Sequence, residues 1–229
     1  MTDRFAQLSD TIHHYFETRN TARDKALIQS RKLIQRSAHA IRAIHRRDTD
    51  QADQFLKEAQ LLATQLHVDL AEYQDLFYAG YTQDALKEYA EACITCALIR
   101  GQELPLPHEI EVQPSVYMNG LAETVGELRR RCLDVMRQGY SPEVENLLSL
   151  MDEIYALLIT VDYPDALTNG LRRQTDLARG IVERTRGDLT LSLREQRLSQ
   201  SMKELGSLLK TSDLPDLDLD IPEEFEDDN

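Results

Sequence analysis

Residues 117–131 read YMNGLAETVGELRRR, and this stretch is the strongest indication of the fold. Its apolar residues recur every three or four positions, at Leu121, Val125 and Leu128, and the same stripe continues to residue 136. That spacing is typical of an amphipathic α-helix with one face in a core. Glu123 and Glu127 fall near the opposite side, four residues apart, where side chains on a helix are neighbours. The stretch therefore predicts a core-forming helix that presents two carboxylates on its other face.

The composition of the chain favours an all-α protein. Its 229 residues include only 9 Gly, 7 Pro and no Trp, and 41% are hydrophobic. Long charged stretches with few helix breakers, rich in Leu, Ala, Glu and Arg, are typical of helical proteins. The sequence has no apolar run long enough to span a bilayer. Its first residues also lack the basic start and apolar block of a signal peptide. We therefore expect a cytoplasmic protein with no membrane partner.

Glycine, proline and capping residues divide the chain into seven predicted helices, without an internal repeat. Thr49 is a candidate N-cap for the second helix, and Ser141 followed by Pro142 opens the fifth. A proline-rich loop at about residues 102–115 separates the third and fourth helices. The predicted helices span about residues 3–47, 49–78, 82–100, 116–139, 142–161, 164–187 and 189–210. The sixth either ends near Gly187 or runs on into the seventh. These patterns predict one helical domain.

A second pair of acids, Glu88 and Glu91, lies three residues apart on the predicted third helix. Together with Glu123 and Glu127 it forms two acidic pairs on two helices, a set of oxygen ligands suited to a divalent metal. Next to metal-bound carboxylates, the arginines at 129–131 suggest phosphodiester chemistry. Helical periodicity alone, however, directs all four acids away from the core. From spacing only, solvated surface carboxylates are the expected outcome, and a metal site is the alternative.

The cysteines and histidines favour no other metal site. Cys93 and Cys96 form a C-x-x-C, but it lies in an apolar helical segment without a second pair. Cys132 falls on the apolar stripe of its own helix, so all three are expected in the core. The six histidines form neither an H-E-x-x-H nor an E-x-x-H pair. This argues against a zinc protease and a ferritin-like di-iron bundle.

The net charge of −14 is concentrated at the C-terminus. Nine of the 40 acidic residues follow Thr211, where there is no basic residue, and this segment is predicted to be disordered. A solubilising role is favoured over competition with nucleic acid for basic patches. The remaining chain carries clusters of basic residues at 31–36, 42–47, 129–131, 172–173 and 184–186.

Several motifs resemble the translin family, and most closely its translin-associated factor X branch. The resemblance extends from the first helix to about residue 198. It is carried by Ser30-Arg31, Ser37, Ile41 and His45-Arg46, by Glu88-Tyr-Ala-Glu91-Ala, by Tyr117-x-x-Gly120-Leu and Gly126-Glu127-Leu-x-Arg130, and by Leu171-Arg-Arg173, Asp176, Arg179 and Arg184-Thr-Arg-Gly187.

The resemblance implies a seven-helix, all-α, translin-like domain over residues 1–210, followed by the acidic tail at 211–229. Translins bind single-stranded RNA and DNA and assemble into hollow octamers. The factor X branch is a Mg²⁺-dependent endoribonuclease whose acids face the interior. An interior filled with water would explain why periodicity directs the four acids away from the core of the subunit.

The proposed site residues follow from matching positions. Glu88 and Glu91 match the two acids of the family's third helix, and Glu127 matches the glutamate of the fourth. Glu123 stands where the family has an aspartate, so its carboxylate is one methylene farther from the backbone. The four are predicted catalytic residues and ligands of Mg²⁺ or Mn²⁺.

Nucleic-acid contacts are harder to assign. Translin has a basic, histidine-rich run before the third helix, whereas this chain reads YAGYT at residues 78–82. The predicted contacts are therefore arginines elsewhere: Arg130, Arg131, Arg172 and Arg173. For Arg130 and Arg131, solvated side chains or salt bridges are equally good interpretations.

Three functions remain open from the sequence. The first is a Mg²⁺-dependent endoribonuclease acting on single-stranded RNA inside an oligomeric shell. The second is a translin-like protein that binds single-stranded nucleic acid without catalysis. The third is a structural helical oligomer whose partner is another protein.

Overall fold

The computed structural model describes residues 2–211, and the side chains of residues 3–208. Over this range the chain forms helices and no strand, which confirms the predicted all-α class. Its eight helices are α1 (Thr2–His45), α2 (Thr49–Asp69), α3 (Gln74–Phe77), α4 (Gly80–Ile99), α5 (Pro114–Met136), α6 (Pro142–Leu158), α7 (Asp165–Thr168) and α8 (Leu171–Thr211). Beyond Thr211, the predicted acidic tail lies outside the described residues.

The helix count differs from the seven predicted because the chain breaks at two places inside predicted helices, while two predicted helices are joined. The predicted second helix stops at Asp69, and the chain turns so that Leu70 and Phe77 both enter the core. The predicted sixth and seventh helices are continuous as α8, since Gly187 is accommodated inside a helix. A short α7 precedes α8, and the left-handed residues Asn169 and Gly170 separate the two.

The junction between α1 and α2 is compact. Arg47 is left-handed, with φ +63°, and Asp48 donates its backbone N–H to the carbonyl of Ala43 at 3.0 Å. This pattern is a Schellman ending of α1. Asp48, rather than the predicted Thr49, then caps α2 by accepting from the Gln51 N–H at 3.1 Å. One short linker thus ends one helix and starts the next.

Helices α4 and α5 form the centre of the molecule. The α1–α2 pair packs against α4, while α6 and α8 pack against α5. The predicted apolar stripe of α5 is confirmed, because Leu121, Val125 and Leu128 are fully buried. Cys96 and Cys132 are buried as predicted, and Cys93 is partly buried against the same core. The two helices that carry the predicted acids, α4 and α5, therefore pack side by side.

The first half of α1 extends away from this core. Its apolar residues are exposed in the isolated chain: Phe5, Leu8, Ile12, Tyr15 and Phe16. The second half packs well, with Leu33 and Ala40 completely buried. None of the helices in the described part of the chain is both long enough and apolar enough to cross a membrane.

Candidate metal centre and nucleic-acid interface

A glycine sets the close approach of α4 and α5 at the candidate site. A Cβ added to Gly120 would lie 2.9 Å from the backbone oxygen of Lys87 and 3.0 Å from the backbone nitrogen of Glu91. Real Cβ atoms do not tolerate such distances to backbone atoms, so the two helices meet in this way only with glycine. Glu123 lies one turn after Gly120. The crossing therefore brings its carboxylate to those of α4.

Three of the four predicted acids meet at this crossing. Glu88, Glu91 and Glu123 each offer an oxygen, and these atoms all lie within 4.8 Å of one another. Glu91 is only 8% exposed, so the expectation from periodicity that it lies on a solvated face was wrong. The physical reason is that α4 is covered on two sides, by α1 as well as by α5.

The ionisation of Glu91 reflects this environment. Burial, followed by the charges of Glu88, Glu123 and Glu127, raises the pKa of Glu91 to about 8. A group that is both buried and close to other carboxylates is more stable when it is neutral or compensated by a cation. The cluster as it stands thus favours uptake of a positive charge, either a proton or a metal ion.

Lys87 already supplies one positive charge to the cluster. Its ammonium lies 2.7 Å from the Glu123 carboxylate and 3.4 Å from Glu88 Oε1. Burial acts to lower the pKa of Lys87, but its hydrogen bond to Glu123 and the nearby negative charges outweigh this and raise it. Gln174, from α8, donates a second hydrogen bond to Glu123 at 3.0 Å. Glu123 is therefore fixed in position from two sides.

Glu127, the fourth predicted acid, has a different set of partners. Its Oε2 lies 2.6 Å from Nε2 of His45, whose side chain is only 3% exposed. Arg130 approaches the same oxygen at 3.6 Å. The hydrogen bond from His45 is the main cause that holds the pKa of Glu127 below its ordinary value. Glu127 is thus an ionised carboxylate one helical turn from the three-acid cluster.

Sequence reasoning missed the role of His45. The residue belongs to a motif that resembles the translin family, but its partner is 82 positions away in the chain. No local spacing connects the end of α1 with the middle of α5. Only the packing of the helices brings the imidazole and the carboxylate together.

The four predicted nucleic-acid contacts are in two kinds of environment. Arg130 is half exposed, and Arg172 and Arg173 are exposed at the start of α8. Arg131 is instead 7% exposed and donates to Glu143 at 2.6–2.7 Å. Its guanidinium is therefore engaged within the subunit.

A polar cavity of about 350 Å³ adjoins the cluster. It is lined by Lys87 and Gln174, which both contact Glu123, and by the side chains of Tyr78, Asn119 and Asn169. Its volume is at the lower end of the roughly 300–1,000 Å³ typical of small-molecule pockets, a size suited to one nucleotide. A larger cavity on α1, of about 480 Å³, includes none of the four acids in its lining.

Comparison with known proteins identifies related chains, although no family model matches the sequence. An uncharacterized protein of Methanocaldococcus jannaschii is 28% identical over 193 residues, which are 83% of this chain and 85% of that protein. The structure of AfC3PO in complex with duplex RNA is 33% identical, with a TM-score of 0.75 over 82% of this chain and 97% of that one.

Two further solved structures share the fold. A second crystal structure, of AfC3PO, is 32% identical, with a TM-score of 0.75 over 82% of this chain and 98% of that one. The apo form of NeC3PO is 20% identical, with a TM-score of 0.74 over 80% of this chain and 96% of that one. At that identity, NeC3PO supports a common fold and nothing more.

Proposed function

Because the chain belongs to the C3PO/translin family, we propose that it binds nucleic acid and is a Mg²⁺-dependent endoribonuclease that cuts single-stranded RNA. The observation that carries the proposal is the convergence of Glu88, Glu91 and Glu123 within 4.8 Å, with one of them buried. Three carboxylates held this close, with the half-exposed Arg130 next to Glu127 on the same helix as Glu123, suit the chemistry of a phosphodiester.

The residues of the cluster fit a divalent metal. Carboxylate oxygens are the ligands that Mg²⁺ prefers, and it keeps several waters beside one or two of them. Glu91 has no hydrogen-bond partner among the described side chains, and its raised pKa reflects the need for a compensating charge. Mn²⁺ has similar ligand preferences and is the natural alternative. Glu88, Glu91 and Glu123 would hold the ion.

The chain's own residues would then prepare the substrate. When bound, a metal ion of this kind polarises the phosphodiester, lowers the pKa of a water and stabilises the leaving oxygen. The hydrogen bond from His45 lowers the pKa of Glu127, so its carboxylate can accept a hydrogen bond from the attacking water. Lys87 must release Glu123 for that carboxylate to bind the metal. Its ammonium would then be available to a phosphate oxygen.

The nucleic acid would approach across the exposed arginines Arg130, Arg172 and Arg173, with one nucleotide in the cavity beside Lys87. The related AfC3PO was solved with duplex RNA. A flexible single strand has the advantage that its unstacked bases and phosphates can follow an irregular surface. We therefore propose single-stranded RNA as the substrate, with single-stranded DNA also bound.

We further propose a hollow octamer, with the acids facing its interior. The exposed apolar residues on the first half of α1 support assembly, because solvated helices seldom carry such a stripe. At 44 residues and about 1.5 Å per residue, α1 is about 65 Å long. Light scattering at micromolar concentration should therefore give an oligomer, and a monomer would exclude the shell.

A binder without catalysis is the second candidate. The position of Lys87 favours it, because an ammonium 2.7 Å from Glu123 takes the place that a metal would occupy. Glu123 also stands where the translin-family motif that this stretch resembles has an aspartate, so its reach toward a metal differs. In this case the protein would bind RNA and leave it intact.

The decisive experiment measures cleavage of labelled single-stranded RNA with Mg²⁺ or Mn²⁺. Glu91→Gln and Glu123→Gln should abolish cleavage while assembly and RNA binding persist. Glu145→Gln is the matched control, because Glu145 is an exposed acid on α6. Glu143 is unsuitable as a control, since it pairs with the buried Arg131. If the wild-type protein binds RNA but cuts neither single strands nor duplexes, the second candidate replaces the first.

A further inference from the structure

A third cavity, of about 450 Å³, lies where α1 and α5 end. Basic side chains dominate its lining: His45, Arg46, Arg47, Arg131 and Arg137. The arginines 46 and 47 follow the last turn of α1, and Arg137 follows the last turn of α5. The cavity is therefore formed by two helix ends whose packing is already set by the core.

The charges around this cavity do not cancel. Arg131 is neutralised by Glu143, and the lining contains one further negative charge, that of Asp134. Arg46, Arg47 and Arg137 are exposed and form no ion pair with any side chain that the structure describes. The two helix C-termini contribute about −0.5 charge each. A net positive charge of about one remains, and it suits an anion.

Arg47 occupies a position where glycine is the usual residue. It is the left-handed residue of the Schellman ending, with φ +63°. An L side chain is strained in this conformation, and glycine is not. Strain retained at one residue is a pointer to function when the surroundings supply a role for the side chain. Here the role available is to place a guanidinium at the cavity.

His45 connects the cavity to the carboxylates. Its ring lines the cavity, while its Nε2 is 2.6 Å from Glu127. Its Nδ1 is buried and has no hydrogen-bond partner. An unpaired buried nitrogen is costly. The same imidazole therefore lies between the cavity and Glu127.

We propose that this cavity is a phosphate subsite, which binds an internal phosphodiester of the nucleic-acid strand a few nucleotides from the cleaved bond. The inference rests on the proposed function. Along α5, Glu123 and Arg131 are eight residues apart, or about 12 Å at 1.5 Å per residue. That distance spans a few phosphates of one strand. Guanidinium groups suit this ligand because they bind two phosphate oxygens at once. His45 is the positioning residue that links the occupied subsite to Glu127.

The test uses fluorescence anisotropy of a labelled RNA with EDTA, so that binding is read without cleavage. Arg47→Gly should bind RNA more weakly, yet fold at least as well as the wild type because glycine relieves the left-handed strain. The slope of log affinity against log salt should fall by about 0.7 for each lost contact to a single strand. The double variant Arg46→Ala with Arg137→Ala should lower this slope further.

Control measurements distinguish failure of the phosphate subsite from failure of the proposed function. Arg194→Ala removes an exposed arginine of α8 and should leave the slope unchanged. If the wild-type protein does not bind RNA, the proposed function fails. If it binds RNA and the cavity variants keep the wild-type slope, only the phosphate subsite is refuted.

Two readouts identify the ligand and the role of His45. One RNA carries a 5′-hydroxyl and the other a 5′-phosphate. The affinity of Arg47→Gly should be lower than that of the wild type by the same factor for both. A loss confined to 5′-phosphorylated strands would overturn the internal phosphodiester. In the cleavage assay, Arg47→Gly should raise KM, whereas His45→Gln should lower kcat at unchanged RNA affinity. Equal effects of the two variants on KM alone would refute the positioning role.

Discussion

Replacing Glu91 with glutamine removes an ionisable group and keeps the shape of the side chain. In the wild-type protein, the carboxyl is buried next to Glu88 and Glu123, and its pKa is raised to about 8. The neutral amide has no charge to bury, and it can donate to either neighbouring carboxylate. We therefore expect Glu91→Gln to stabilise the fold without metal, over a defined range of pH.

The sign and size of the effect follow from proton linkage. Below pH 4.5, the ordinary pKa, Glu91 is protonated in both the folded and the unfolded chain, and the variant gains nothing. Between pH 4.5 and about 8 the unfolded chain releases this proton while the folded chain keeps it, so the wild-type protein loses stability as the pH rises. At 1.36 kcal/mol for each pKa unit, the upper limit is about 5 kcal/mol. Because buried groups and their surroundings relax around a charge, the effective dielectric constant is higher than in a rigid interior. We therefore expect Glu91→Gln to gain about 2 kcal/mol in the free energy of unfolding.

Urea unfolding followed by circular dichroism at pH 5 and pH 8.5, with EDTA and at fixed protein concentration, measures this difference. The free energy of unfolding of Glu91→Gln should exceed that of the wild type by about 2 kcal/mol at pH 8.5 and by much less at pH 5. Glu145→Gln should show no such dependence. An equal difference at both pH values would refute the proposed ionisation of Glu91.

Magnesium should reverse the ranking. A ligand at a hundredfold excess over its Kd stabilises the folded state by about 2.7 kcal/mol. The wild-type protein should gain this stability, and Glu91→Gln should not. Equal stabilisation of both proteins would show that Mg²⁺ binds elsewhere.

Three other substitutions test the crossing of α4 and α5 and its surroundings. Lys87→Met should tighten Mn²⁺ binding by about tenfold, or about 1.4 kcal/mol, since no ammonium then competes for Glu123; weaker binding in titration calorimetry would show that Lys87 supports the metal. Gly120→Ala should destabilise the fold by about 1–3 kcal/mol and weaken Mn²⁺ binding, and an unchanged melting temperature would contradict the close contact. Arg131→Met should cost about 2 kcal/mol because it leaves Glu143 without its partner, and a stability in urea equal to that of the wild type would show that this pair is neutral.

The helical class and most helix ends follow from local sequence. Proline at the start of α6 and the cap at Ser141 act within a few residues, so their effect is visible without the fold. Pro114 likewise opens α5, although it was predicted to lie in the preceding loop. The end of α2 has no such marker. It stops at Asp69 because burial of Leu70 and Phe77 is gained by turning, and this is a property of the packed core.

In the candidate site, too, some features follow from local sequence and others only from the packing of the helices. Four acids were predicted from spacing and from the resemblance, and the structure brings Glu88, Glu91 and Glu123 together. The burial of Glu91 was not predictable from its own helix, because a hydrophobic stripe shows only the most apolar face. The bond between His45 and Glu127 joins residues 82 positions apart, and neither residue type specifies the other.

The glycine at position 120 sets both the packing of the two helices and the spacing of the carboxylates, so the two properties cannot evolve separately. A substitution that enlarges this residue separates the two helices, and the same displacement moves Glu123 away from Glu91. Selection for a stable subunit and selection for a set distance between ligands thus act on one contact. Lineages that lose catalysis but keep the fold would have no reason to relax this position. A glycine retained at this position in a related protein would therefore be poor evidence of enzymatic activity. The presence of the acids would be better evidence.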